Sequence, residues 1–330
     1  MPTIHKKPQT KIFYGQSGAS KTTQLYYFVK WYWKKYQKVT RLITCNGGGW
    51  LPFEDSGMIE DGIVQTLDLN MLLSGYESKL AALRRLSEGY WPIVSPNGQG
   101  NMQDGEYYFL PTADCMTIAK EDIGCYLFED MASLARLLIT HLSEKSEGTG
   151  FKHSYKIEEE ELTIGGLQEG HYGLVQKEVH KIITQGFSTL PIDYFVMTSL
   201  VGEGLDKREK TRMFGPQMIG NAATAEIPSW FGDCFLLREM PITLQDENGN
   251  LSAGSQRVLH FKDYLPDEDA IPYKTNLRIM PELIPQVLAK YPEGYYTLTP
   301  EKGIIPFMNF LERIKLEQRQ KLSANAGANQ

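Results

Sequence analysis

The sequence predicts an α/β protein, and three stretches carry that prediction. Lys11-Ile12-Phe13-Tyr14 is strand-like and runs through a glycine-bearing loop into a helix. Cys125-Tyr126-Leu127-Phe128-Glu129-Asp130 is an apolar run that ends in acid. Ile192-Asp193-Tyr194-Phe195-Val196-Met197-Thr198-Ser199 is a second apolar run, with a hydroxyl-bearing end. Short apolar runs separated by amphipathic stretches are the pattern of strands alternating with helices.

The loop of the first stretch is Gly15-Gln16-Ser17-Gly18-Ala19-Ser20-Lys21-Thr22, with Thr23 after it. Strand, glycine-bearing loop, Lys-Thr and helix is the order of a phosphate-binding P-loop. Backbone N–H groups of such a loop form an anion site, and the helix N-terminus adds partial positive charge. Lys21 then reaches the β- and γ-phosphates of ATP, and the Thr22 hydroxyl holds Mg²⁺. Ser20 stands where the pattern has glycine. A Cβ there restrains the loop, which puts efficient hydrolysis in doubt more than nucleotide binding.

After Lys21, Leu25, Phe28, Val29 and Tyr32 recur at helical spacing and predict a helix face on a sheet. Lys30, Trp31, Lys34 and Lys35 occupy the other face. They read either as an aromatic–basic surface for single-stranded DNA or as lysines lying over a helix surface. Val39–Thr44 is the second strand. It enters Cys45-Asn46-Gly47-Gly48-Gly49-Trp50, whose glycines suit a tight turn or a close backbone approach, with Glu54 and Asp55 just beyond. Gly62–Leu67 is the third strand, and Leu72–Ser87 is helical. Residues 91–115 read as an excursion from the core.

The strand that ends at Asp130 resembles a Walker B strand, which delivers a carboxylate to the Mg²⁺ shell. Asp130 is the expected metal partner, and Glu129 or Glu54 orients the attacking water. The alternative is that Asp130 caps the helix Ala132–His141. Residues 143–165, with Glu158-Glu159-Glu160-Glu161, read as a solvated insertion. His171–Leu190 is helical. Thr198 or Ser199 is placed to sense the γ-phosphate at the end of its strand. Gly202–Arg212 reads as a mobile loop. Strands Cys234–Glu239 and Arg257–Tyr264 flank a turn at Asp246-Glu247-Asn248-Gly249 and give a β-rich edge towards the C-terminus. Phe307–Leu322 is helical, and residues 323–330 read as a disordered tail.

The chain has 330 residues, 42% hydrophobic and 22% charged, with a formal net charge of −6. Binding of nucleic acid along its whole length is disfavoured by that charge, so any DNA contact is local or shared between subunits. Four cysteines without C-x-x-C spacing suggest reduced thiols in a cytoplasmic compartment. No apolar run is long enough for a membrane span, and no histidine pattern suggests a structural metal.

Taken in order, these segments resemble a RecA-like P-loop ATPase of the kind encoded by bacteriophages, related to single-strand-annealing and recombination ATPases. The likeness rests on Tyr14 to Thr23, Asn46 to Trp50, the strand ending at Asp130, and Val196 to Ser199. Further on it rests on Gly215-Pro216, Gly220-Asn221-Ala222, Ile227-Pro228, Phe231-Gly232-Asp233, Lys274 and Arg278. It spans about residues 10–280, followed by a C-terminal helical extension over 281–322. The resemblance implies a twisted, mostly parallel sheet with helices on both faces and ATP at the strand C-termini. It also implies assembly into rings or filaments, action with DNA in phage recombination or replication, and a location in the host cytoplasm. In such assemblies cations from one subunit reach the phosphate on the next, and Lys274 and Arg278 are the candidates. The alternatives are a nucleotide-binding structural or switch protein with little turnover, and a DNA-packaging ATPase.

Overall fold

The structure is a computed structural model. It describes residues 7–45, 48–70, 76–91, 122–146, 152–157, 160–165, 169–206, 210–245, 249, 251–268 and 270–328. The expected excursion at 91–115 lies, apart from Trp91, outside the described residues, as does the turn at 246–248.

The elements run β1 (Gln9–Gly15), α1 (Lys21–Tyr36), β2 (Val39–Thr44), α2 (Leu51–Glu54), β3 (Val64–Asp68), α3 (Tyr76–Ser87), β4 (Ile123–Glu129) and α4 (Met131–Ser146). Then come β5 (Lys152–Ile157), β6 (Glu160–Gly165), α5 (Glu169–Lys181), β7 (Tyr194–Ser199), β8 (Val201–Asp206), β9 (Thr211–Pro216) and α6 (Asn221–Trp230). The last are β10 (Asp233–Gln245), β11 (Leu251–His260), β12 (Asn276–Leu277), α7 (Ile284–Lys290), β13 (Tyr295–Thr297) and α8 (Ile305–Ala328).

The central sheet has the order β13-β11-β10-β1-β7-β4-β2-β3, with β12 against β10. From β10 to β3 every neighbour is parallel. β11, β12 and β13 join antiparallel and form the C-terminal edge. Two cores follow from the alternation of side chains along each strand. On one face, Phe13, Leu42, Leu127 and Val196 pack with Leu25, Phe28 and Tyr32 of α1 and with Phe307 and Leu311 of α8. On the other, Ile12, Ile43, Phe128 and Met197 pack with Leu83 of α3, Leu134 of α4, Val179 of α5 and Ile227 of α6. The strands are buried on both faces, which is why they read as continuous apolar runs.

The structure corrects several readings of the sequence. Gly202–Arg212 is not a loop: β8 and β9 pair antiparallel from Val201–Pro216 to Asp206–Thr211. Within 143–165, β5 and β6 form a hairpin of their own apart from the central sheet, with Glu160 and Glu161 in β6. α8 continues to Ala328, so the tail is helical from Ser323 to that point. α8 packs on part of the outer face of α1, while Lys30, Lys34 and Lys35 stay exposed. Trp31 is buried and donates to Asn309 Oδ1 at 2.8 Å, and Lys35 pairs with Glu312.

Asp233, at the start of β10, is buried between Lys11 of β1 and Lys315 of α8. Lys315 Nζ lies 2.7 and 2.6 Å from its two oxygens. Burial pulls Lys11 down to about 8 against the attraction of Asp233, which is itself held below its usual range by the two cations. Removing the shared anion strands two buried ammonium groups. Asp233→Ala is expected to lose roughly 3–5 kcal/mol of stability, read by chemical denaturation. A loss below about 1 kcal/mol would show that the triad does not hold α8 to the sheet.

Candidate active site at the strand C-termini

The parallel register sets one row of residues along the C-terminal edge of the sheet. Thr44 pairs with Glu129, and Phe13 pairs with Thr198. Glu129 follows the Phe128–Met197 pair, so it lies level with Thr198. Residues two apart on a strand share a face. Thr44, Glu129 and Thr198 therefore lie on the same side as Leu42, Leu127 and Val196, the side that carries α1. The N-terminus of α1 meets this row, and Thr22 Oγ1 donates a hydrogen bond to Glu129 Oε1.

Three buried oxygens in the row, Thr44 Oγ1, Glu129 Oε2 and Thr198 Oγ1, have no hydrogen-bond partner among the described residues. Buried polar atoms are almost always paired, so a converging group without partners calls for a ligand. Burial pushes the Glu129 carboxyl up to about 7; the Thr22 hydrogen bond and Lys21 oppose the shift, while Asp130 adds to it. Oxygen-only donors around one carboxylate suit Mg²⁺, a hard cation that is held by one or two carboxylates and otherwise by substrate phosphate and water. The residues present therefore fit the metal that the motif implies.

The backbone admits this geometry at two points. Gly18 has φ 79°, and Ser20 has φ 64° and ψ 27°. The left-handed region explains why the motif prefers glycine at position 20, since an L-residue is strained there by about 1–2 kcal/mol. At Gly49 a Cβ would stand 2.6 Å from Glu129 Oε2 and 3.0 Å from Thr44 Cγ2. The glycine run after β2 is thus a close approach to the acid. Asn46 and Gly47 lie outside the described residues.

Lys21 Nζ lies 3.1 Å from Gly15 O and 2.9 Å from Gln16 O, folded into its own loop. Its pKa is lowered by burial, against the pull of Asp130 and Glu129. Gln16, Ser17 and Gly18 are exposed at the loop tip, Ala19 is buried beneath it, and Thr23 points outward from α1.

The other predicted residues are sorted by position. Asp130 is occupied as the cap of α4. Its Oδ1 accepts from the backbone N–H groups of Ala132 at 2.6 Å and Ser133 at 3.2 Å, and its Oδ2 from the Ser133 hydroxyl at 3.0 Å. The carboxylate that meets Thr22 is Glu129, because strand alternation turns position 129, not 130, towards α1. Ser199 Oγ is spent on Leu200 O and Gln217 O, which leaves Thr198 as the hydroxyl in the row. Glu54 is solvent-exposed at the end of α2. Lys274 lies near the loop: its carbonyl accepts from Tyr14 Oη at 2.6 Å, and its ammonium pairs with Asp263 at 3.2 Å. Arg278 does not lie with it. It sits at the opposite, N-terminal edge of the parallel strands, where its backbone N–H meets Asp233 Oδ1 at 3.3 Å and its guanidinium meets Ser229 O at 2.9 Å.

Beside the loop lies a feature that sequence reasoning missed. A cavity of about 340 Å³ runs from Gln16 and Ala19 past Leu237 and Arg238 to Tyr264 and Tyr273. The two tyrosines exchange backbone hydrogen bonds at 3.0 and 2.8 Å and hold their rings 5.9 Å apart. Arg238 lies 4.1 Å over the Tyr264 ring. In the sequence, eight positions lie between the tyrosines without periodicity; the bridge brings them together.

No family model matches the chain, and no curated protein matches it. Among solved structures, the KaiC-like protein PH0186 from the hyperthermophilic archaeon Pyrococcus horikoshii OT3 is similar over 82% of this chain and 84% of that one. The identity is 10% and the TM-score 0.38, a likeness too loose to bear on function.

Two substitutions separate the adjacent acids. For an acid whose folded pKa is raised, the folded state holds the proton more tightly, so stability falls as pH rises from the ordinary range through about 7. Glu129→Gln is expected to raise the stability of the protein at pH 8, by up to ~3 kcal/mol, and to abolish any Mg²⁺-dependent nucleotide binding at this site. Asp130→Asn keeps a capping side chain and is expected to preserve both within about 1 kcal/mol. The reverse pattern, measured by thermal melts and calorimetric titration, would return the metal role to Asp130.

Proposed function

We propose that this chain is a Mg²⁺-dependent ATP-binding protein that hydrolyses ATP slowly as an isolated subunit. The observation that carries the reading is the convergence of the Lys21–Thr22 helix N-terminus with the unpartnered Glu129 and Thr198 oxygens. Lys21 leaves its loop carbonyls for the phosphates, and the first turn of α1 supplies N–H groups and dipole. Thr22 and Glu129 hold the metal, and Thr198 is the hydroxyl placed towards the terminal phosphate. When bound, Mg²⁺ neutralises charge that develops on the phosphoryl oxygens. Tyr264 and Tyr273 provide aromatic surface for the base, and Arg238 lies at its rim.

Slow turnover is supported by where the other acids lie. Asp130 caps α4, and Glu54 faces solvent. Only Glu129 is aimed at the Thr22 hydroxyl, and it is committed to the metal. Ser20 holds a strained loop geometry. Efficient hydrolysis then depends on a neighbour, with Lys274 the cation nearer the loop edge. This is the mode of action of RecA-like ATPases that assemble into rings or filaments. The ATPase reading extends to work on DNA in phage recombination or replication, and in this reading assembly is what makes the enzyme active. The same observations favour, as the second reading, a nucleotide-dependent switch whose bound ATP orders an oligomer.

Lys21→Ala is expected to weaken ATP binding at least tenfold. Tyr264→Ala is expected to weaken ATP similarly while leaving inorganic tripolyphosphate affinity unchanged, since only the base meets the ring. Calorimetric titration with both ligands reads the two effects. Unchanged ATP affinity in Lys21→Ala would remove the nucleotide assignment altogether.

A further inference from the structure

At the edge of the sheet opposite the P-loop, five segments of the chain meet around a cavity of about 420 Å³, four of them bringing a cation or an aromatic ring. Lys7 comes from the chain before β1, Trp230 from the end of α6, Arg278 from the segment after β12, and Lys315 from α8. No Asp or Glu is among the described residues that line it. The nearest acid, Asp233, is fully buried behind it and shared between Lys11 and Lys315. Lys315 is compensated by Asp233, so Lys7 and Arg278 carry the positive charge of this cavity in a chain of net charge −6.

Two further features belong to the same place. Ser188 lines the cavity, and its Oγ is buried with no hydrogen-bond partner among the described residues. Trp230 is half-buried there, its ring centroid 4.9 Å from that of His180. On its other side a depression of about 300 Å³ continues past His180 and Lys177. That second depression carries Glu226 as well as Lys177, so the positive groove is the first cavity alone. Cations alone recognise any anion. A partly exposed indole at the rim of that groove adds a surface on which a base can stack, as proteins that hold single strands use aromatic rings beside a positive groove.

We infer that this cavity binds single-stranded nucleic acid, with Lys7 and Arg278 neutralising phosphodiester groups and Trp230 stacking on a base. The inference deepens the nucleic-acid part of the proposed function and rests on it. It also moves that contact away from the outer face of α1, where Trp31 is buried against α8. The site lies across the sheet from the P-loop, so strand and nucleotide occupy the protein together.

The test is fluorescence anisotropy of a labelled twelve-residue oligothymidylate, without nucleotide, over a salt series. Wild type, Lys7→Ala/Arg278→Ala, Trp230→Ala and Lys21→Ala are compared, each first checked for a wild-type melting profile. The double variant is expected to lose roughly tenfold or more in affinity. Its log K against log[salt] slope is expected to fall by about 1.4, two contacts at about 0.7 each. Trp230→Ala is expected to lose several-fold with the slope unchanged, and Lys21→Ala to bind as wild type. ATP binding by the double variant is expected to stay at the wild-type level, so a failure of the nucleotide assignment shows separately. Wild-type affinity in both site variants, or no oligonucleotide binding by wild type at low salt, would overturn the inference. A loss confined to the cation double variant would also overturn it, by leaving a plain anion site.

Discussion

The hydrogen bond from Thr22 to Glu129 joins the two halves of the site. It fastens the N-terminus of the helix that follows β1 to the end of β4, two strands away across the sheet. That distance is bridged only because β7 lies between them and all three strands run parallel, so their C-terminal residues arrive level. The cost is a carboxylate buried with one oxygen unpartnered, and its proton affinity rises accordingly. A group held in this way is poised to exchange a proton for a cation. In the proposed function, burial that weakens the free protein becomes affinity for a charged ligand, and the left-handed backbone of Ser20 lies at the same helix end.

Much of the fold was legible because its strands are buried on both faces. Val39–Thr44 was read to its exact ends, and β1, β4 and β7 to within two residues, since continuous apolar runs ending in polar residues leave little ambiguity. The β8–β9 hairpin was missed because Gly202–Arg212 is dominated by charge, and its pairing comes from a partner strand rather than from its own apolar pattern. The helical end of α8 was missed because Ser323 to Ala328 carries small residues without an apolar stripe. The face of α1 was ambiguous for a different reason. Lys30, Trp31, Lys34 and Lys35 fit an aromatic–basic surface for nucleic acid or lysines lying over a helix surface; Asn309 takes up Trp31 and Glu312 pairs with Lys35, while Lys30, Lys34 and Lys35 stay exposed.

The strand, loop and helix around Lys21 were legible because that pattern is local. The order of the acids was not. Glu129 and Asp130 are adjacent, and a strand turns adjacent side chains to opposite faces, so the choice between them depends on which face α1 occupies. Asp130 was favoured as the metal partner, but its side chain satisfies the first N–H groups of α4 instead. Lys274 and Arg278 look like a pair in sequence. An extended run of four residues nevertheless separates them by roughly 13 Å and leaves them towards opposite edges of the sheet. The tyrosines beside the loop gave no signal, since their proximity is made by one antiparallel bridge across a short turn of chain without periodicity.

The central claim is that Glu129 closes a metal–nucleotide site with Thr22. The most direct measurement is a pH titration of the Glu129 side-chain carboxyl by ¹³C NMR, with assignment from Glu129→Gln, in the absence and presence of ATP and Mg²⁺. The account predicts a midpoint near 7 for the protein alone, and a return to the ordinary carboxylate range or below once metal and nucleotide are bound. A midpoint unchanged by ATP and Mg²⁺, with binding demonstrated in the same sample, would contradict it.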